Sequence, residues 1–385
     1  MIKRAVTCML LMAYCATTFA QISYETFESK KLNSTRKFKI KLPNDYDENS
    51  DRMHPVIVVF DGDYLFEPVV GQTDFQTYFD DMPSSIVVGI MHEDVRFYDT
   101  YSDEVSGLPI EFGAQFYEFI GTELLPYLDI NYNTSKFRVA VGHNKTGNLI
   151  NSFLLKESPL FQAYVNISPD FQGNMSDNIM TRTEWLKEDI IYYLATAKND
   201  IKHIRQNVLQ TDANLKLIDN LKLSYYFDEF EEASHYTMVT RGISRAFDKI
   251  FDIYRPIRDK EIKEKVLPFE GTLDTYIVDR YKKIEDLFGI YKPISEEEFQ
   301  KIAEAAQERE DLESLQKLGK LVNNHHPTSN LGTYYLALYA EKAGKIKKAK
   351  KLYQSALAFE NGVIIDKEFI LSKVEDLEMT ENDND

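Results

Sequence analysis

The run Pro55-Val56-Ile57-Val58-Val59-Phe60 contains no polar side chain and stops at Asp61-Gly62-Asp63, a turn signal. An apolar run of strand length with no polar alternation predicts a central strand covered on both faces. Similar short apolar runs lie at residues 85–90, 137–141, 163–167, 190–195 and 223–227. Residues 22–42 read differently. Lys37-Phe38-Lys39-Ile40-Lys41-Leu42 alternates polar and apolar, as a half-buried hairpin strand should, and a polar loop follows to Arg52. Between most of the apolar runs lie helical patterns, such as 113–128 and 147–155, and a last one spans 236–254. Strands alternating with helices predict an α/β fold: a doubly wound, mostly parallel sheet with helices on both faces.

The pattern changes near residue 256. A densely charged stretch at 258–265 leads into helical periodicity at 273–288, 296–308 and 312–322. Ser295-Glu296-Glu297-Glu298 reads as a capping box opening the second of these. Residues 331–359 read as a helix hairpin turning at Gly344, with small and aromatic residues spaced as in one tetratricopeptide-type repeat. A single repeat cannot bury both of its faces, so it must dock on neighbouring structure. The expected organisation is a targeting segment at 1–20, an α/β domain at 21–255, linker helices at 256–290, an all-helical module at 291–374 and a solvated acidic tail at 375–385.

The first twenty residues have the layout of a secretory signal. Lys3 and Arg4 precede a short apolar stretch, and Thr18-Phe19-Ala20 offers a small-residue cleavage site before Gln21. The apolar stretch is too short to span a bilayer. Export to the periplasm or the medium is the expectation. Both cysteines, Cys8 and Cys15, fall inside this segment. The mature chain would therefore carry no disulfide, no thiolate metal site and no cysteine nucleophile. The formal net charge is −17, and loss of Lys3 and Arg4 would make it −19. Nucleic acid and anionic membrane surfaces are poor partners for such a chain.

The chemistry concentrates at one turn. The strand Arg138-Val139-Ala140-Val141 runs into Gly142-His143-Asn144-Lys145-Thr146-Gly147 and then into a helical pattern. This is the layout of a nucleophile elbow, a strained strand-to-helix turn that lifts one side chain above the sheet. The lifted position holds Asn144, whose carboxamide has no ionisable O–H or S–H to give to a base.

Five ordered segments resemble the esterase D/enterochelin-esterase-like branch of the α/β-hydrolase superfamily, over roughly residues 25–255. They are Asp45-Tyr46-Asp47 with the strand at 55–60 and its Asp61–Phe66 loop; Ile86–Ile90 with the loop containing Arg96 and Asp99; the elbow; Ala163–Asp170 with Ile167-Ser168-Pro169; and Ser234-His235-Tyr236-Thr237-Met238-Val239. The helical C-terminal region resembles the extension that some exported members carry. The resemblance implies a nucleophile, a carboxylate and a histidine in that chain order. Carried onto this sequence, Asn144 takes the nucleophile position and His235 the histidine position. Asp200 is the preferred acid, with Asp228 and Glu229 as rivals. Backbone N–H groups at Lys145 and in the Asp63-Tyr64 loop would form the oxyanion hole. Lys145 and Thr146 are bulkier than usual around such an elbow and would partly fill the acyl space.

The remaining chemical residues have plainer readings. Thr146, as a displaced nucleophile, lies past the elbow and should point elsewhere. Ser168 and Ser234 read as turn and cap hydroxyls. His325-His326 are adjacent, so their side chains diverge, and they read as a solvated loop rather than a metal pair. Asp61 and Asp63 are explained by turn chemistry. No metal or cofactor is expected. The functional expectation is a non-catalytic binding descendant of a carboxylic-ester hydrolase, holding a small ester-like ligand. The alternatives are an active hydrolase using an unusual nucleophile or a His235-activated water, and an interaction protein that works through its helical module.

Overall fold

The computed structural model describes residues 22–359 and 362–382. The expected signal segment, with both cysteines, lies outside the described residues. So do the last three residues of the expected tail.

Eight strands form one sheet in the order β1-β2-β4-β3-β5-β6-β7-β8. They are β1 (Ile22–Ser29), β2 (Ser34–Lys41), β3 (His54–Phe60), β4 (Ile86–Ile90), β5 (Thr134–Asn144), β6 (Ala163–Pro169), β7 (Ile190–Asn199) and β8 (Leu223–Ser234). The β1–β2 hairpin is antiparallel and joins the edge of β4; from β4 to β8 every pairing is parallel. All seven residues of β3 are buried, as an apolar run between two helical layers requires. Val56, Val58 and Phe60 enter the core cluster that includes Phe119, Phe153, Phe161 and Tyr164. Ile57 and Val59, equally buried, alternate to the opposite face. The helices Phe66–Tyr78 and Val239–Ile250 pack together, joined by Gln76 Nε2 donating to Asp248 at 3.0 Å.

Parallel strands deliver their C-terminal ends to a single edge of the sheet. That edge is where open α/β folds gather chemistry, and here it gathers the ends of β3, β5, β6, β7 and β8. Two boundaries move from the sequence expectation. The last helix of the unit starts at Val239, because His235–Met238 is a turn. The helix expected at 113–128 starts at Glu111 and carries a π-helical turn, Ile120–Leu124, before Leu125–Asn131.

The chain divides into two compact units, one ending at Asp252 and one starting at Ile253. The second unit is helical: Leu273–Phe288, Glu296–Glu308, Leu312–His325, Leu331–Lys342, Ile346–Ala356 and Lys367–Asn382, around its own apolar core. Ser295 Oγ accepts the Glu298 N–H at 3.3 Å, as a helix cap should. The Glu298 carboxylate accepts the Ile257 N–H at 3.1 Å, so it also ties the start of this unit to the capped helix. The stretch from Glu375 departs from a solvated tail. It is helical as far as Asn382, because Val374 and Leu377 on the same helix face are buried in the core.

Candidate functional site

Two close contacts shape the elbow between β5 and the helix Lys145–Leu154. A Cβ on Gly142 would lie 2.7 Å from the Thr146 carbonyl oxygen, and one on Gly147 would lie 2.9 Å from Pro169 Cβ. The glycines let the helix fold back onto β5 and pack against the end of β6. Asn144, between them, sits at φ 59° and ψ −119°. Left-handed φ is costly for a residue with a Cβ. The turn projects the Asn144 side chain over the strand edge.

Its carboxamide is held at both ends. Oδ1 accepts the Lys145 N–H at 2.9 Å, and Nδ2 lies 3.3 Å from His235 Nε2. His235 follows β8 directly and is buried. Its Nδ1 lies 2.7 Å from Asp200 Oδ1 and 2.8 Å from Ser168 Oγ. Ser168 Oγ and Thr196 Oγ1 each donate to Asp200 Oδ2 at 2.7 Å, and the Ile201 N–H donates to Oδ1 at 2.7 Å. Burial of Asp200 opposes its charge. The hydrogen bonds from His235, Ser168, Thr196 and Ile201 outweigh that and hold its carboxyl at about 2. Three donors and an ionised acceptor define the proton positions. His235 carries its proton on Nδ1, shared between Asp200 and Ser168, and presents a bare Nε2 to the Asn144 amide.

A second cluster supports the elbow from below. Asp61 is fully buried and is paired with Arg96, whose Nη2 reaches Asp61 Oδ2 at 2.9 Å and the His143 carbonyl at 3.3 Å. Thr146 Oγ1 donates to Asp61 at 2.7 Å and accepts the His143 N–H at 3.0 Å. Burial works against the Asp61 charge, but bonding and attraction from Arg96 keep its carboxyl below the ordinary range. His143 Nε2 donates to the His235 carbonyl at 3.2 Å, and its Nδ1 meets the Tyr64 hydroxyl at 2.8 Å. Burial, then repulsion from His235, pushes the His143 imidazole down to about 4.

The structure therefore brings Asn144, His235 and Asp200 together. The rival acids are elsewhere: Asp228 accepts from the Tyr193 hydroxyl, and Glu229 pairs with Arg205. The expected oxyanion donors are changed. Lys145 N–H is taken by Asn144, and Tyr64 N–H donates within its own turn to the Asp61 carbonyl at 3.2 Å. Asp63 accepts the His92 N–H through its carboxylate at 2.8 Å. Thr146 is fully buried beneath the elbow, so it does not fill the acyl space. Lys145 leans over the Phe97 ring, with Nζ 5.4 Å from its centroid. Asp61 is an ion-pair anchor, more than a turn residue. Ser234 exchanges hydrogen bonds with Thr237, as a turn hydroxyl does. His326 donates to the Ile294 carbonyl at 2.8 Å, and no cluster of three or more potential metal ligands occurs among the described residues. No helix among them is long and apolar enough to cross a membrane.

Sequence reasoning missed Ser168, which it read as a turn hydroxyl. The signal was its place at the end of a strand neighbouring the one that leads to Asp200, where parallel register aligns Ile167 with Ala195.

A mostly parallel sheet, an elbow and a histidine–carboxylate pair at the strand ends make the first unit an α/β hydrolase in fold. The family model described as Putative esterase matches residues 29–232, more than half of the chain, and the protein belongs to that family. An uncharacterised protein from Capnocytophaga ochracea superposes with a TM-score of 0.83 at 29% identity, over 93% of this chain and 100% of that one. An IroE-like serine hydrolase from Shewanella oneidensis gives 0.58 at 20% identity, over 79% and 99%. The siderophore hydrolase EstB from Aspergillus nidulans gives 0.50 at 14%, over 60% and 95%. The last two likenesses are of fold. No curated protein matches the sequence.

Proposed function

We propose that this chain is a non-catalytic member of its esterase family, exported and retaining the cleft above the elbow as a small-ligand site. One observation carries the reading: the Asn144 carboxamide spans the Lys145 N–H and His235 Nε2. In an acting hydrolase the first group would stabilise an oxyanion and the second would take the nucleophile's proton. Asn144 occupies both and supplies neither an attacking oxygen nor a transferable proton. The family relationship supports an ester or ester-like ligand, and the targeting pattern at residues 1–20 supports export.

The test is hydrolysis of p-nitrophenyl acetate and butyrate by wild type, Asn144→Ser and Asn144→Ser/His235→Ala. Wild type should be silent. Asn144→Ser should gain turnover that the second substitution removes, since loss of a nucleophile or its base costs on the order of 10⁶ in related chemistry. Wild-type hydrolysis abolished by His235→Ala would overturn the reading in favour of a His235-activated water.

A further inference from the structure

The second unit holds a trough of about 390 Å³ between the helices Glu296–Glu308 and Leu331–Lys342 and the segment that enters the last helix. Its wall is fixed from beneath. Glu296 accepts the Val363 N–H at 2.7 Å, and Asn330 accepts the Gly362 N–H and donates to the Ile365 carbonyl, both at 3.0 Å. Glu296 and Asn330 are themselves buried. The walls are therefore set before anything binds, which lowers the cost of binding.

Two tyrosines form the floor. Tyr334 is 7% and Tyr335 3% exposed, yet neither hydroxyl has a hydrogen-bond partner among the described residues. Their side chains are buried while the hydroxyls open into the trough, so both are available to bond with a group that enters it. Burial raises both phenols above their ordinary value, so they stay protonated and can donate. Apolar surface runs beside them: Ile364, Ile365 and the Phe369 ring, 46% exposed and 6.0 Å from Tyr334. The charged groups of the lining are Glu304 and Asp366, with no lysine or arginine among the described lining residues.

We propose that this trough binds an extended polypeptide segment of a partner protein, one that alternates apolar side chains with lysine or arginine. Apolar side chains would lie on Ile364 and Phe369. Backbone carbonyls would accept from the tyrosine hydroxyls, and a basic side chain would pair with Glu304 and Asp366. An open trough lined by both apolar and polar groups suits an extended chain, whose side chains alternate between its two faces. The site does not depend on the state of the elbow.

The test is fluorescence anisotropy with the full chain and three short labelled peptides, in which leucine alternates with lysine, glutamate or serine. The lysine peptide should bind best. Tyr335→Phe, which removes a single oxygen, should weaken it about fivefold. Glu304→Lys should weaken it more. Glu231→Lys, a matched charge change in the first unit, should leave binding unchanged. Circular dichroism would verify that each variant folds. Absence of saturable binding by all three peptides overturns the proposal. So does a preference for the glutamate peptide, or binding indifferent to Tyr335. Equal weakening by Glu231→Lys would show attraction to the acidic chain as a whole, and also overturns it.

Discussion

Ser168 is the residue through which the site's proton arrangement is set. Its hydroxyl is fully buried at φ 44°, donates to Asp200 and accepts from His235 Nδ1–H. This small side chain joins His235, Thr196 and Ile201 in keeping the carboxylate charged, and joins Asp200 in accepting the Nδ1 proton that leaves Nε2 bare. In Ser168→Ala, Asp200 loses one of its donors and His235 Nδ1–H keeps a single acceptor. Stability should fall by about 1–2 kcal/mol, the cost of disturbing a buried hydrogen bond to a charged group. The specific readout is the tautomer. The ¹⁵N shifts of His235 should show protonated Nδ1 in wild type and a mixture of tautomers in Ser168→Ala. In the Asn144→Ser background, kcat should fall while KM is held. An unchanged tautomer and kcat would reduce Ser168 to a packing role.

At the scale of elements, the elbow stores strain that the rest of the sheet supports. Asn144 holds φ 59° because its Oδ1 caps the helix that begins at Lys145, while Nδ2 engages His235. Asn144→Ala loses both bonds and keeps the Cβ in the left-handed region; Asn144→Gly loses the bonds but relieves the strain. Gly should therefore be more stable than Ala by about 1 kcal/mol, read from urea midpoints. The reverse order would mean that the turn relaxes when the side chain is cut back. This element was legible in the sequence because Gly142 and Gly147 mark close backbone contacts and the apolar strand before them sets the phase. The strands at 55–60 and 190–195 were equally plain, being apolar throughout. The oxyanion donors were not legible. Whether Lys145 N–H is free depends on which way a carboxamide turns, and Asn144 can turn either end toward it. Nor was the Arg96–Asp61–Thr146 anchor legible, since it joins a turn after one strand to the first turns of two helices, whose proximity only the folded sheet creates. The register of His235 with Asp200 was half legible: chain order named the candidates, and only strand pairing separated Asp200 from Asp228 and Glu229.

The whole molecule combines a first unit with buried titratable groups and a second that folds around its own core. Acid should act on the first unit in a defined order. His143 falls from an ordinary 6.5 to about 4, so between these values the unfolded chain binds a proton that the folded chain refuses. Stability is unaffected by this group above pH 6.5 and declines as pH drops to 4, by about 3 kcal/mol at most. Asp200 behaves in the opposite sense. Its carboxyl is lowered from 3.8 to about 2, so its contribution is complete above 3.8 and is lost as pH falls through 2. In the first unit His143, enclosed by His235, Tyr64 and the Asp61–Arg96 pair, shares the window below 6.5 with buried His54, whose imidazole burial also pushes down, so His143→Asn removes only the share that belongs to His143. Urea unfolding followed by circular dichroism should show stability falling from pH 7 to pH 4 in wild type and a flatter profile in His143→Asn. If the two profiles are parallel across that window, another group is titrating and the neutral, buried state assigned to His143 is wrong.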